Sequence, residues 1–126
     1  MKIFIADDSS LLRAQLSELL CELEGIEIVG QAAGVEQALD AIRALRPDVI
    51  TLDIQMSDGS GIDLLKKIKK ENPAPLVIMV TNHASPPYRK QCKQEGADYF
   101  FDKAIEINEV KRIIRDLLLQ FKRTDD

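Results

Sequence analysis

The 126-residue chain reads as a doubly wound α/β domain: one five-stranded parallel sheet with helices packed on both faces. Three observations predict it. Apolar runs rich in β-branched residues alternate along the chain with stretches of helical period. The run Leu76-Val77-Ile78-Met79-Val80 is apolar throughout, which suits a strand covered on both faces rather than one. No linker, repeat or low-complexity tract interrupts the alternation, and the length fits one domain with a real core.

Taken in order, Ile3-Phe4-Ile5-Ala6 is the first strand, and Leu12, Leu16, Leu19, Leu20 and Leu23 mark the helix behind it. Glu27-Ile28-Val29-Gly30 is the second strand; Ala38, Leu39, Ile42 and Leu45 carry its helix, which Pro47 cannot continue. The third strand is Val49-Ile50-Thr51-Leu52, and a helix from Gly61 to Glu71 follows until Asn72-Pro73 stops it. Beyond the fourth strand, Ser85 stands as N-cap ahead of Pro86 and Pro87, and Gly96 closes that helix. Asp98 to Phe101 forms the fifth strand, and Ile107, Val110, Ile113, Ile114, Leu117, Leu118 and Phe121 give the clearest helical stripe in the chain. Right-handed crossovers then favour the flavodoxin-like strand order 2-1-3-4-5, since five units are too few for an eight-stranded barrel. The domain is placed at 1–122, with a short polar tail at 123–126.

Composition narrows the function classes. With 45% apolar and 30% charged residues the chain is of globular type. MKIFIADD lacks the apolar core of a signal peptide and no apolar run reaches the length of a membrane span, so a cytoplasmic protein is expected. The formal charge of -4 speaks against direct nucleic-acid binding. Lys66, Lys67, Lys69 and Lys70 read as the solvated face of a helix whose other side carries Ile62, Leu65 and Ile68. Cys21 and Cys92 lie far apart inside helical patterns and are expected as buried or half-buried free thiols.

In a parallel sheet all strands finish at one edge, so the residues just past each strand become neighbours. Those residues are Asp7 and Asp8 after the first strand, Asp53 after the third, Thr81 after the fourth and Lys103 two residues past the fifth. Each has a plain structural use: Asp7, Asp8 or Ser9 as a helix N-cap, Thr81 bonding its own turn, Lys103 as a solvated loop charge. Together they are harder to explain so. Three carboxylates in one crevice repel and raise each other's pKa, and one lysine leaves an excess of negative charge. A hard divalent cation with oxygen ligands, Mg²⁺ above all, resolves the excess, and Mg²⁺ completes its shell with phosphate oxygens. Asp53, on the central strand with an apolar wall behind it, is the candidate nucleophile for an acyl phosphate. Asp7 and Asp8 form a tandem pair suited to the metal, and Thr81 and Lys103 are placed to meet the transferred oxygens.

Asp7-Asp8, Asp53-Ile54-Gln55-Met56 with Gly61 eight residues after the acid, Thr81, and Gly96-Ala97-Asp98 leading to Lys103 follow in this order over essentially the whole chain. In this the chain resembles the receiver domains of two-component response regulators, of the stand-alone chemotaxis type. The resemblance implies that Asp53 accepts a phosphoryl group from a histidine kinase or phosphotransfer protein. It implies Mg²⁺ bound directly by Asp8, Asp53 and the backbone carbonyl of Gln55, with Asp7 acting through water. It further implies a switch in which Thr81 moves toward the phosphoryl group and Phe100 swings inward, remodelling the face of helix four, strand five and helix five. Such a module catalyses only its own phosphorylation and dephosphorylation, and alters its affinity for a downstream protein as a monomer or a phosphorylation-dependent dimer. Tyr88, Arg89, Lys93, Phe100, Lys111, Arg112 and Arg115 are expected on the partner face.

Three positions depart from the family pattern. Ser57 stands where proline is usual, so the loop Asp58-Gly59-Ser60-Gly61 is expected to be mobile. Ala104 replaces the frequent proline after the lysine and removes the usual reason for a cis peptide there. Asn82 stands directly after Thr81, where a small residue is usual, and it and the following His83 are candidate modulators of phosphoryl lifetime. Two other functions compete. A Mg²⁺-dependent phosphatase working through a phospho-aspartate needs a second acid two residues after the nucleophile, where this chain has Gln55. An interaction domain independent of phosphorylation does not need the complete set of Asp7, Asp8, Asp53, Thr81 and Lys103.

Overall fold

The computed structural model describes residues 1–125. Its elements are β1 (Lys2–Ala6), α1 (Ser10–Leu20), β2 (Glu27–Ala32), α2 (Val35–Leu45), β3 (Val49–Leu52), β4 (Gln55–Met56), β5 (Gly59–Ser60), α3 (Gly61–Ile68), β6 (Leu76–Thr81), α4 (Pro86–Gln94), β7 (Tyr99–Asp102) and α5 (Ile107–Asp125). The main sheet has the order β2-β1-β3-β6-β7 with every pairing parallel. Counted over those strands alone, this is the expected 2-1-3-4-5. Most of the segment expected as a polar tail continues α5, which runs through Asp125; residue 126 lies outside the described residues.

Strand alternation divides the core in two. Phe4, Ala6, Ile50, Leu52, Val77 and Met79 face α2, α3 and Cys92 of α4, while Ile3, Ile5, Val49, Ile78 and Val80 face α1 and α5. All of β3 is buried between β1 and β6. Each fully buried aliphatic side chain contributes about 1.5–3 kcal/mol, so the strand that leads into Asp53 is anchored by side chains buried on both faces of the sheet. At the sheet edge the β1–β2 register slips by one residue, Ile3 facing Ile28 but Phe4 facing Gly30. A Cβ at Gly30 would lie 2.9 Å from the Phe4 ring, so glycine there makes room for the aromatic.

Helix ends differ from expectation where long-range contacts decide them. Helix α1 stops at Leu20, with Cys21 as C-cap, and Leu23 packs from the turn beyond. Cys21 is therefore exposed, against expectation; Cys92 is buried, and burial pushes its thiol up to about 11. Helix α3 ends at Ile68, and Lys70 and Glu71 continue with i→i−3 bonds of the tighter 3₁₀ kind. Lys69 leaves the expected lysine face: its Nζ donates to Asp98 Oδ2 at 2.7 Å and to the Pro75 carbonyl at 2.8 Å. Asp98 lies outside the strand predicted to contain it and instead accepts from Val77 N–H at 2.9 Å. Ser85 holds the N-cap of α4 without a capping bond from its hydroxyl. The end of α4 is a Schellman turn, with Gly96 at φ +98, Gly96 N–H on the Lys93 carbonyl and Ala97 N–H on that of Cys92.

Candidate functional site

Strands β1, β3, β6 and β7 all finish at one edge, and the sheet hydrogen bonding runs one residue past their ends. Asp7 N–H donates to the Ala32 carbonyl at 3.0 Å, Asp53 N–H to Ala6 at 3.0 Å, and Lys103 N–H to Thr81 at 2.9 Å. The charged residues thus sit on fixed backbone. Asp7 is 2% and Asp53 4% exposed, whereas Asp8 faces solvent. Ser9, and neither acid, caps α1 by accepting from Leu12 N–H at 3.2 Å, and Ser9 N–H donates to Asp7 Oδ1 at 2.8 Å. Arg13 holds the same corner by donating to the Asp7 carbonyl at 2.6 Å, a contact that sequence reading missed.

Lys103 Nζ lies 3.0 Å from Oδ2 of both Asp7 and Asp53, so it is not the solvated loop charge of the plain reading. The two ends of this cluster respond unequally. Burial alone pulls the lysine's pKa down, but hydrogen bonds and Coulombic attraction from Asp7 and Asp53 outweigh it and leave it raised. Burial pushes the Asp7 carboxyl up, and the charge of Asp53 adds to that; the Ser9 N–H and Lys103 only partly offset it. One ammonium does not compensate the three carboxylates.

One carboxylate oxygen from each of Asp7, Asp8 and Asp53 falls within 4.8 Å of the others, and Asp8 and Asp53 line a cleft of ≈ 380 Å³ together with Gln55, Asn82, His83 and Lys103. An all-oxygen donor set with surplus negative charge, open to solvent on one side, fits Mg²⁺ and room for a phosphate-sized group beside it.

The stretch after Asp53 is ordered differently from expectation. Rather than a loose loop, Gln55–Met56 and Gly59–Ser60 pair as an antiparallel ribbon. Ser57 N–H donates to the Ala33 carbonyl at 2.9 Å, and the Asp58 carboxylate caps α2 from outside by accepting from the N–H groups of Val35 and Glu36. Those two bonds hold the Asp58 carboxyl below its ordinary range. Gly61 packs directly on the Asp53 carbonyl: an added Cβ would lie 2.8 Å from that carbonyl carbon and closer still to its oxygen. The spacing of Gly61 after the acid is thereby a steric requirement.

Thr81 is fully buried, and its Oγ1 accepts from His83 N–H at 3.1 Å, so its hydroxyl bonds its own turn. Asn82 and His83 are exposed at the cleft, and His83 Nε2 lies 3.1 Å from Gln55 Oε1, across its mouth. Phe100 is partly buried under the Arg89 guanidinium, whose Cζ is 4.7 Å from the ring centroid. Tyr88, Lys93, Arg112 and Arg115 are exposed as expected of a partner face, but Lys111 pairs with Glu22 and Arg112 with Glu109. The Lys103–Ala104 peptide is trans; Asn72–Pro73 is the cis peptide among the described residues.

An all-parallel five-stranded sheet with an acidic cluster at its C-terminal edge makes this a doubly wound α/β domain of the flavodoxin-like kind. Residues 3–115 match the family model for the response regulator receiver domain, and the chain belongs to that family. An uncharacterized response regulatory protein of Vibrio cholerae is 35% identical over 125 residues, 99% of this chain and 52% of the relative. Among solved structures, the response regulator domain of Thermotoga maritima CheB superposes with a TM-score of 0.81 at 28% identity, covering 95% of this chain and 94% of the other. The CheX-CheY-BeF3-Mg+2 complex from Borrelia burgdorferi gives a TM-score of 0.78 at 28% identity, covering 90% of this chain and 89% of that one. The chain spans about half the length of the curated relatives it matches. No helix among the described residues is long and apolar enough to cross a membrane.

Proposed function

We propose that this receiver accepts a phosphoryl group on Asp53 from a phosphohistidine of a histidine kinase or phosphotransfer protein in the cytoplasm. The observation that carries the reading is the near-complete burial of the Asp53 carboxylate at the tip of β3, bonded to Lys103 and facing the cleft it shares with Asp8. An Asp53 oxygen forms the new O–P bond as the donor's P–N bond breaks, and the imidazole leaves with the electron pair. Asp8, Asp53 and the Gln55 backbone carbonyl would hold Mg²⁺ directly and Asp7 through water. When bound, the ion neutralises the phosphoryl oxygens and orients them for in-line transfer. Lys103, already 3.0 Å from Asp53, stabilises charge on the transferred oxygens and keeps the two buried acids compatible. Thr81 exchanges its bond to His83 N–H for one to the phosphoryl group, and Phe100 moves inward. The face of α4, β7 and α5 then changes its affinity for a downstream protein. The test is intact-mass measurement after incubation with Mg²⁺ and a small-molecule phosphodonor. One phosphoryl group is expected on the parent and none on Asp53→Asn; equal labelling of both proteins excludes the assignment.

A further inference from the structure

Arg89 occupies a position that the phosphoryl chemistry does not explain. Its Nε donates to the Ala84 carbonyl at 3.0 Å, its guanidinium lies over Phe100 at 4.7 Å, and its Nη2 meets Glu106 Oε1 at 3.3 Å. The same Glu106 oxygen accepts from Asp102 N–H at 3.0 Å, on the residue after Phe101 in β7. One side chain therefore connects the β6–α4 loop, the ring and the end of the β7–α5 loop. The ion pair, with side chains 42% and 33% exposed, contributes little by itself. The planar fork is what allows one group to stack and to bond at its edge simultaneously.

We propose that Arg89 is the positioning residue that couples Thr81 to Phe100, holding the ring in its partly buried position under the guanidinium until the loop carrying Ala84 moves. This rests on the switch reading given above. Thr81 Oγ1 is bonded to His83 N–H at 3.1 Å, and the Ala84 carbonyl that anchors Arg89 is the next residue along. Movement of Thr81 toward Asp53 breaks the first bond and shifts the second, so the guanidinium loses its anchor and withdraws from the ring. Before phosphorylation the stack favours this partly buried position, because moving further inward forfeits the cation's contact with the ring face.

The chain has 4 phenylalanines, so 4-fluorophenylalanine labelling with Phe100→Leu for assignment gives a resolvable ¹⁹F NMR signal from the ring. Parent protein is measured alone and with Mg²⁺ plus beryllofluoride, and Arg89→Gln is measured alone. The inference predicts that beryllofluoride moves the Phe100 resonance of the parent. Without it, Arg89→Gln moves part of the way, an inward population about fivefold higher. Arg89→Lys, which keeps charge but not the planar fork, falls between. Glu106→Gln retains an acceptor for Asp102 N–H and shifts in the same direction by less, and serves in place of Arg89→Gln if that variant unfolds. If beryllofluoride moves the parent resonance while the Arg89 and Glu106 variants alone match the parent, the coupling is wrong and the switch stands. If beryllofluoride leaves the parent resonance in place, the switch reading falls and the inference falls with it.

Discussion

A single methyl group at Gly61 tests how the fold holds its nucleophile. The Cβ of Gly61→Ala would stand 2.8 Å from the Asp53 carbonyl carbon and 3.1 Å from Ile54 Cα, with the Asp53 carbonyl oxygen nearer than either. These are backbone atoms of the segment leaving the central strand, and Gly61 N–H already bonds the Ile54 carbonyl at 2.6 Å, so neither side yields freely. Overpacking against rigid backbone costs about 3 kcal/mol, which for a domain of this size lowers the melting temperature by about 10 °C. Relief has to come from displacing the Asp53 backbone, and a shift of about 1 Å at a reacting group reduces rate on the order of 100-fold. The internal control is Gly59→Ala, whose Cβ meets only Val35 Cγ2 at 3.7 Å and should change stability by less than about 0.5 kcal/mol. Thermal unfolding followed by circular dichroism and the phosphodonor labelling rate are measured on both. Equal melting of Gly61→Ala and Gly59→Ala, with parental labelling, would refute the steric account of the Asp53–Gly61 contact.

Three further outcomes follow from polar groups of the sheet and its edges. Thr51 Oγ1 is buried in β3 without a hydrogen-bond partner, so the isosteric Thr51→Val should raise stability by about 1 kcal/mol in urea unfolding. Asp98→Ala removes the acceptor of Val77 N–H and the partner of Lys69, and should lower stability by about 1–3 kcal/mol in the same assay. Burial raises Asp7 above its ordinary 3.8, so between that value and its folded pKa the native state keeps a proton the unfolded chain has released. Stability therefore falls as pH rises through this window and stays reduced above it. Without Mg²⁺, Asp7→Asn should accordingly melt higher than the parent at neutral pH, with the advantage shrinking as pH drops through the window.

The sheet and its order were legible because β1, β3 and β6 are apolar runs whose burial on two faces is written in local composition. The five residues at the strand ends were legible for the same reason: knowing where parallel strands stop gives their neighbours. Local signals could not show what distant residues supply. The cap of α2 at Gly34 comes from Asp58, and the ribbon of β4 and β5 that it belongs to reads from sequence as a mobile turn. Lys69 looked like one of four solvated lysines until Asp98, 29 residues on, engaged it. Thr81 was correctly placed at the edge, but which partner its hydroxyl takes depends on the backbone of His83. The bond between His83 and Gln55 and the Arg89–Phe100 stack join segments that only the crossovers bring together.

The central claim, that β3 presents Asp53 as the phosphoacceptor, is tested most directly by trapping the acyl phosphate. Phosphorylated protein is reduced with borohydride, which converts an aspartyl phosphate to homoserine, and digested for peptide mass mapping. Homoserine at position 53, dependent on Mg²⁺ and on the phosphodonor, is the predicted result. Homoserine at Asp7 or Asp8, or its absence from a protein that carries phosphoryl label, would contradict it.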